Sequence, residues 1–153
     1  MDAKSREKII KEEINELEDS LFIYDYIIMK GMRIQALKDN EYEERNLVKG
    51  CQAKVWIVLE GTDDDIVIRG DSKSLLVKGL LGILIEILNH LPVKEILDYK
   101  MSFLYETAIG NEISSQRKVG LKSMLKHIKK ELNKNAELRK EEKEYVIKQR
   151  NRY

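Results

Sequence analysis

Cys51 is the one cysteine in a chain of 153 residues, and it stands in the string Lys49-Gly50-Cys51-Gln52-Ala53-Lys54. A cysteine that only packs usually sits inside an apolar run and behaves as a small hydrophobe. This one follows a glycine, which lets the backbone turn sharply and would leave the sulfur accessible. Lys49 and Lys54 flank it and would favour thiolate over thiol. A lone nucleophilic sulfur needs no metal. It can accept one sulfur atom from another sulfur and hand it on, or be oxidised to a sulfenic acid. Local sequence alone leaves a third reading open, an exposed thiol without a role. One cysteine also excludes an internal disulfide, a zinc site of the multi-cysteine type and a cluster held by several thiolates of one chain. The other reactive side chains add less. His90 falls at a helix end, where the dipole favours a cation. His127, between Lys126 and the Lys129–Lys130 pair, reads as a solvated helix histidine. Neither is assigned to catalysis, and the chain has no GxxxxGKS/T, GxGxxG or HExxH string.

The elements that position Cys51 follow from periodicity. Ser5–Glu18 has Ile9, Ile10, Ile14 and Leu17 on one helical face, with Ser5 as N-cap. Leu21–Leu37 is helical by the same spacing, weakened modestly by Gly31. Lys38–Arg45 is polar and reads as a loop. Lys54–Glu60 and Ile66–Arg69 are β-branched or aromatic in character and read as two strands, joined by a five-residue loop from Gly61 to Asp65. Gly70-Asp71-Ser72 ends the second strand, and Asp71 or Ser72 is expected to cap a helix over Lys73–Leu88. That helix is apolar on nearly every side and must be central. Its Gly79 and Gly82 would let another backbone approach. Short helices are expected over Pro92–Tyr99 and Ser102–Ala108, the latter closed by Gly110. A last amphipathic helix opens at Ser114 or Ser115, with Val119, Leu121, Met124, Leu125, Ile128 and Leu132 on its apolar side. Helices around a small antiparallel sheet make an α+β domain. Residues 1–133 are expected to form it, and residues 134–153 a charged helical or frayed tail.

Composition fits one compact domain: 42% of residues are hydrophobic and 36% charged, with a formal net charge of +1. The balance is uneven. From Arg117 to the end there are 13 basic and 5 acidic residues, and the remainder carries 15 basic and 22 acidic. The +8 end reads as a solvated helix face. No aromatic interleaves with it before Tyr145, so nucleic acid is not the expected partner. Leu75–Leu88, about 14 residues interrupted by Lys78 and Glu86, is too short and polar to span a bilayer. Met1–Lys11 alternates charges and lacks the apolar segment of a secretory signal, so a cytoplasmic location is expected.

Three blocks carry a resemblance. Asn46-Leu47-Val48-Lys49-Gly50-Cys51-Gln52-Ala53-Lys54-Val55-Trp56 resembles the N-x-V/I-x-G-C-Q-S-x-V-W signature of the SufE family of sulfur acceptors. Gly70-Asp71-Ser72-Lys73-Ser74-Leu75-Leu76-Val77-Lys78-Gly79-Leu80 is similar to that family's G-D-S-D-x-x-I-V-K-G-L. Ser114-Ser115-Gln116-Arg117-Lys118-Val119-Gly120-Leu121 resembles its S-P-S-R-x-N-G-L. The blocks stand in family order at family-like spacing, between about Leu21 and Lys130. The resemblance implies a fold like that of IscU-type scaffolds. It implies a protein that takes sulfane sulfur from the persulfide of a PLP-dependent cysteine desulfurase onto Cys51. Such a protein stimulates the desulfurase, delivers the sulfur to an iron–sulfur scaffold, and has no resident cofactor or metal of its own. A thiol redox sensor oxidised at Cys51 is the alternative.

The remaining motif residues take smaller roles. Gln52 would position the loop or touch the partner. Asp71 is expected first as a helix cap. Arg117 would hydrogen-bond a loop carbonyl or a partner carboxylate, with a plain surface arginine the competing reading. Trp56 belongs to the core, and Lys78 would snorkel or pair with an acid. Lys73 stands where the family commonly has an acid and reverses a charge near the expected partner surface. Ala53, Ser115 and Val119 replace Ser, Pro and Asn, and none removes the sulfur chemistry. The segment Glu44–Cys51 is expected to evert, burying the sulfur between transfers and exposing it at the partner.

Overall fold

The computed structural model describes residues 1–150, with side chains over residues 1–135. Most of the expected tail therefore lies outside the described side chains. Helix α1 (Ala3–Asn15) and helix α2 (Ser20–Met32) come first, then two 3-10 turns at Asp39–Glu41 and Glu44–Asn46. The hairpin β1 (Val55–Thr62) and β2 (Asp65–Ser72) is antiparallel and forms the two-stranded sheet. Helix α3 (Leu75–Leu88), the short helices α4 (Val93–Asp98), α5 (Phe103–Glu106) and α6 (Ile109–Glu112), and the long α7 (Ser115–Arg150) complete the order. The α+β class read from the sequence is the class observed.

Helix α3 is the centre. Leu80, Leu81, Ile83, Leu84, Ile87 and Leu88 are fully buried, and α1, α2, α7 and β2 all pack on this helix. A two-stranded ribbon is marginal alone, and the hairpin is held by burying Val55, Ile57, Ile66 and Ile68 in the same core. The α2–α3 crossing is close enough to require glycine. A Cβ on Gly79 would stand 2.1 Å from the Ile27 carbonyl oxygen, and one on Gly82 2.3 Å from that of Lys30. The side-chain-free stripe thus lets two backbones meet, as the spacing suggested.

Several boundaries differ from the sequence reading. Asp2, not Ser5, caps α1, its carboxylate accepting the Ser5 N–H at 2.8 Å. Asp19 caps α2, which stops at Met32 rather than Leu37. The hairpin is tighter than expected: Thr62 pairs with Asp65, leaving Asp63 and Asp64 as the turn. The polar string hid strand pairing because composition marks solvent exposure there, not the end of the ladder. Asp71 is not a helix cap. It is a β2 residue opposite Trp56, and Ser74 caps α3 by accepting the Val77 N–H. Gly110 closes no helix; Thr107 breaks the run and Gly110 lies inside α6. Val119 is 55% exposed, off the apolar face that Leu121, Met124, Ile128 and Leu132 form. His127 is half-buried rather than solvated, and burial lowers its pKa.

Candidate functional site

The sequence folds a short loop onto the start of β1. Leu47 bridges to Trp56, and the Val48 N–H donates to the Val55 carbonyl at 2.8 Å. Val48 and Val55 are buried, so residues 49–54 leave and re-enter the structure at two apolar anchors. Gly50 takes φ +91°, a left-handed conformation that glycine adopts without strain, and a Cβ there would stand 2.6 Å from Ser123 Oγ. The turn drops the chain against α7. Ser123 Oγ–H donates to the Gly50 carbonyl at 3.4 Å, and Cys51 Sγ–H donates to the Gly120 carbonyl at 3.3 Å. The far end is tied to β2, where Ser72 Oγ–H donates to the Lys54 carbonyl at 2.8 Å.

Cys51 is half-buried at a cleft of about 510 Å³, lined also by Gln52, Val77, Ser114, Arg117 and Met124. Burial pushes the Cys51 thiol up from its ordinary pKa. The expectation that Lys49 and Lys54 favour the thiolate is therefore corrected: both are exposed, and removal of the sulfur from water sets the direction. The contact with Gly120 acts the same way, because only the protonated thiol can donate to a carbonyl. In this arrangement the sulfur is held as a thiol, and thiols are less oxidation-prone than thiolates.

Of the motif residues, the structure brings Cys51, Gln52 and Arg117 to this one cleft. The Arg117 N–H donates to Ser114 Oγ, which caps the first turn of α7, and its side chain is exposed. Asp71 and Lys73 belong to a neighbouring cluster. Asp71 accepts from the Tyr42 hydroxyl and pairs with Lys78 at 3.2 Å. Desolvation works against the Asp71 charge, but those hydrogen bonds win and lower its pKa, while Tyr42 is raised to about 12. Trp56 is buried and meets Tyr42 edge to face at 5.1 Å, and the Lys73 ammonium lies 5.9 Å from the Trp56 ring centre.

A third group, missed from the sequence, clamps the segment that precedes the Cys51 loop. Arg69, buried on β2, forks onto Glu41 with two contacts of 2.6 Å and meets Glu60 at 2.8 Å. The guanidinium holds the Glu41 carboxyl down at about 2. Nothing in the sequence joins residues 28 positions apart. An arginine breaking the apolar character of a strand was the only available signal. Gly120 and Ser123 were missed as loop anchors too, although a glycine inside a helical pattern does mark a close approach. Among the described residues, no three His, Cys, Asp or Glu side chains converge as a metal-binding group, and no helix is long and apolar enough to cross a membrane.

A solved structure with the same fold, the solution structure of a hypothetical protein from Thermus thermophilus, superposes with a TM-score of 0.70. The match covers 83% of this chain and 93% of that one, at 16% sequence identity. The sequence profile of the family described as SufE, the Fe-S metabolism associated domain, matches residues 8–132. That span contains the Cys51 loop, the hairpin, the central helix and the start of α7. The chain therefore belongs to the SufE family of Fe-S metabolism associated domains.

Proposed function

We propose that the protein is a sulfur carrier, not an enzyme in its own right. It takes sulfane sulfur from a PLP-dependent cysteine desulfurase onto Cys51, stimulates that desulfurase by clearing its persulfide, and delivers the sulfur for iron–sulfur cluster assembly on a separate scaffold. One observation carries the reading beyond the family match. The one thiol of the chain sits at the apex of a glycine turn, its loop tethered to α7 by two long hydrogen bonds and open to a cleft.

The chemistry balances without a redox partner. Cys51 loses its proton to solvent, and its thiolate attacks the outer sulfur of the donor persulfide. The donor S–S bond breaks, its electron pair leaves on the donor thiolate, and a new S–S bond forms on Cys51. A second thiol on this chain would resolve that persulfide into a disulfide and release the sulfur early. The attacking species is the thiolate, yet the resting geometry favours the thiol. Activation therefore requires Cys51 to leave the Gly120 carbonyl and meet water or the partner. Freeing two hydrogen bonds of this kind costs on the order of 1–3 kcal/mol, which docking can supply. The Val48–Val55 bond supports hinges at those two residues rather than at Glu44, three residues after the Glu41 that Arg69 grips. Gln52 and Arg117 then face the incoming donor, and Asp71 holds the base of the loop through Tyr42 and Lys78. Lys73 meets the partner as a cation. A redox sensor would need a depressed thiol pKa, and burial acts in the opposite direction here.

The test is Cys51→Ser. The variant is expected to keep its circular dichroism spectrum and melting temperature while losing both labelled-sulfur acceptance and desulfurase stimulation. A folded variant that still carries sulfur and still stimulates would overturn the proposal.

A further inference from the structure

The cleft around Cys51 is lined by residues within three stretches, 51–53, 74–77 and 114–124. These stretches and the residues flanking the first two carry six cationic side chains, Lys49, Lys54, Lys73, Arg117, Lys118 and Lys122, of which Arg117 lines the cleft itself, and no Asp or Glu falls within 49–54, 73–77 or 114–124. The whole chain has 28 Lys and Arg against 27 Asp and Glu, so this is segregation of charge and not its average. Five of the six are exposed and Lys118 is half-exposed. Among the described residues, none of them takes part in an ion pair within the chain. The acids on neighbouring segments are already engaged: Asp71 by Lys78 and Tyr42, Glu41 by Arg69. The same three segments also expose Leu75 and Val119, at 68% and 55%.

Unpaired cations gathered around a reactive cleft repel one another in the free protein and are relieved when an opposite field is brought against them. Exposed aliphatic side chains among those cations suit a protein surface rather than a nucleic acid, because interface cores are apolar while rims are charged. We infer that the face bearing Cys51 docks on an acidic protein surface, so that the sulfur donor carries an excess of Asp and Glu around its own persulfide. This inference rests on the carrier reading above and adds the sign of the partner. It also gives Lys73 a consequence: the reversed charge joins a wholly cationic rim and is not an isolated departure.

The experiment measures labelled-sulfur transfer to the full chain from two donors. One is the cysteine desulfurase of the same organism, and the other is a small persulfide with no further charged group. Transfer from the desulfurase is expected to slow at least about tenfold between about 50 and 400 mM salt, as for electrostatically steered encounters, while transfer from the small donor stays level. Lys54→Glu with Lys118→Glu is expected to weaken the desulfurase reaction by a further factor of about ten at low salt and to leave the small donor unaffected. Desulfurase transfer that ignores salt, or that improves on charge reversal, would overturn the inference while leaving the carrier reading standing. Duplex or single-stranded DNA that competes with the desulfurase at physiological salt would overturn it in favour of a nucleic-acid surface. Sulfur reaching Cys51 from neither donor would overturn the carrier reading itself.

Discussion

Cys51 is chemically restrained in the resting fold. Its sulfur is half-buried, donates to the Gly120 carbonyl, and has its pKa raised by burial. The consequence is a pH profile with a definite sign. Alkylation by iodoacetamide follows the thiolate fraction, so its rate rises about tenfold per pH unit below the pKa and levels above it. For the free protein the midpoint is expected above the ordinary thiol value of about 8.5, and for the urea-unfolded chain at that value. A folded-state midpoint at or below the ordinary value would contradict the burial argument and return weight to a redox-sensing thiol. This is where residue-level reading from sequence misled: Lys49 and Lys54 were legible as neighbours, but burial against α7 was not. The groups that hold the loop down are distant along the chain: Gly120 lies 69 positions from Cys51, and Ser123 lies 73 from Gly50. Asp71 shows the same limit. The string Gly-Asp-Ser before a helix describes a cap, yet strand pairing with Trp56 carries Asp71 out of reach, and Ser74 caps instead.

At the level of elements, what was legible depended on how far the signal was local. Helix α3 could be read because a helix apolar on every side admits only a central position. Its Gly79 and Gly82 could be read as a close approach, though not what approached. The structure supplies α2, with the Ile27 carbonyl oxygen 2.1 Å from where a Gly79 side chain would begin. Gly79→Ala is therefore expected to lower unfolding stability by about 3 kcal/mol in urea titrations, since backbone atoms cannot move aside as a side-chain tip can. An unchanged denaturation midpoint would contradict the packing described for the α2–α3 crossing. The hairpin was legible as two strands but not in register, because Gly61 to Asp65 has loop composition while most of it stays on the ladder. The clamp of Glu41 by Arg69 was not legible at all, for it joins a 3-10 turn to a strand without any sequence pattern to link them.

The whole molecule separates its charge as its fold separates its surfaces. A near-neutral chain gathers cations and no acids in and beside the stretches that line the cleft of its one thiol, while Glu41 and Asp71 nearby are taken up by Arg69, Lys78 and the Tyr42 hydroxyl. The α+β class and the SufE resemblance were both available from the sequence, and the matched span of residues 8–132 contains every element that shapes the cleft. What the fold adds is a loop with two buried anchors that rests on a helix through two long hydrogen bonds, an arrangement that suits the proposed carrier, whose thiol is protected at rest and released at the partner. The central claim, that Cys51 carries sulfur, is tested most directly by intact-mass and peptide mass spectrometry of the full chain. The sample is taken after incubation with the cysteine desulfurase of the same organism and L-cysteine, without reductant. The account predicts a species heavier by one sulfur atom, with the added mass on the peptide containing Cys51 and removed by dithiothreitol. An unmodified Cys51 beside a desulfurase that has charged its own cysteine would contradict it.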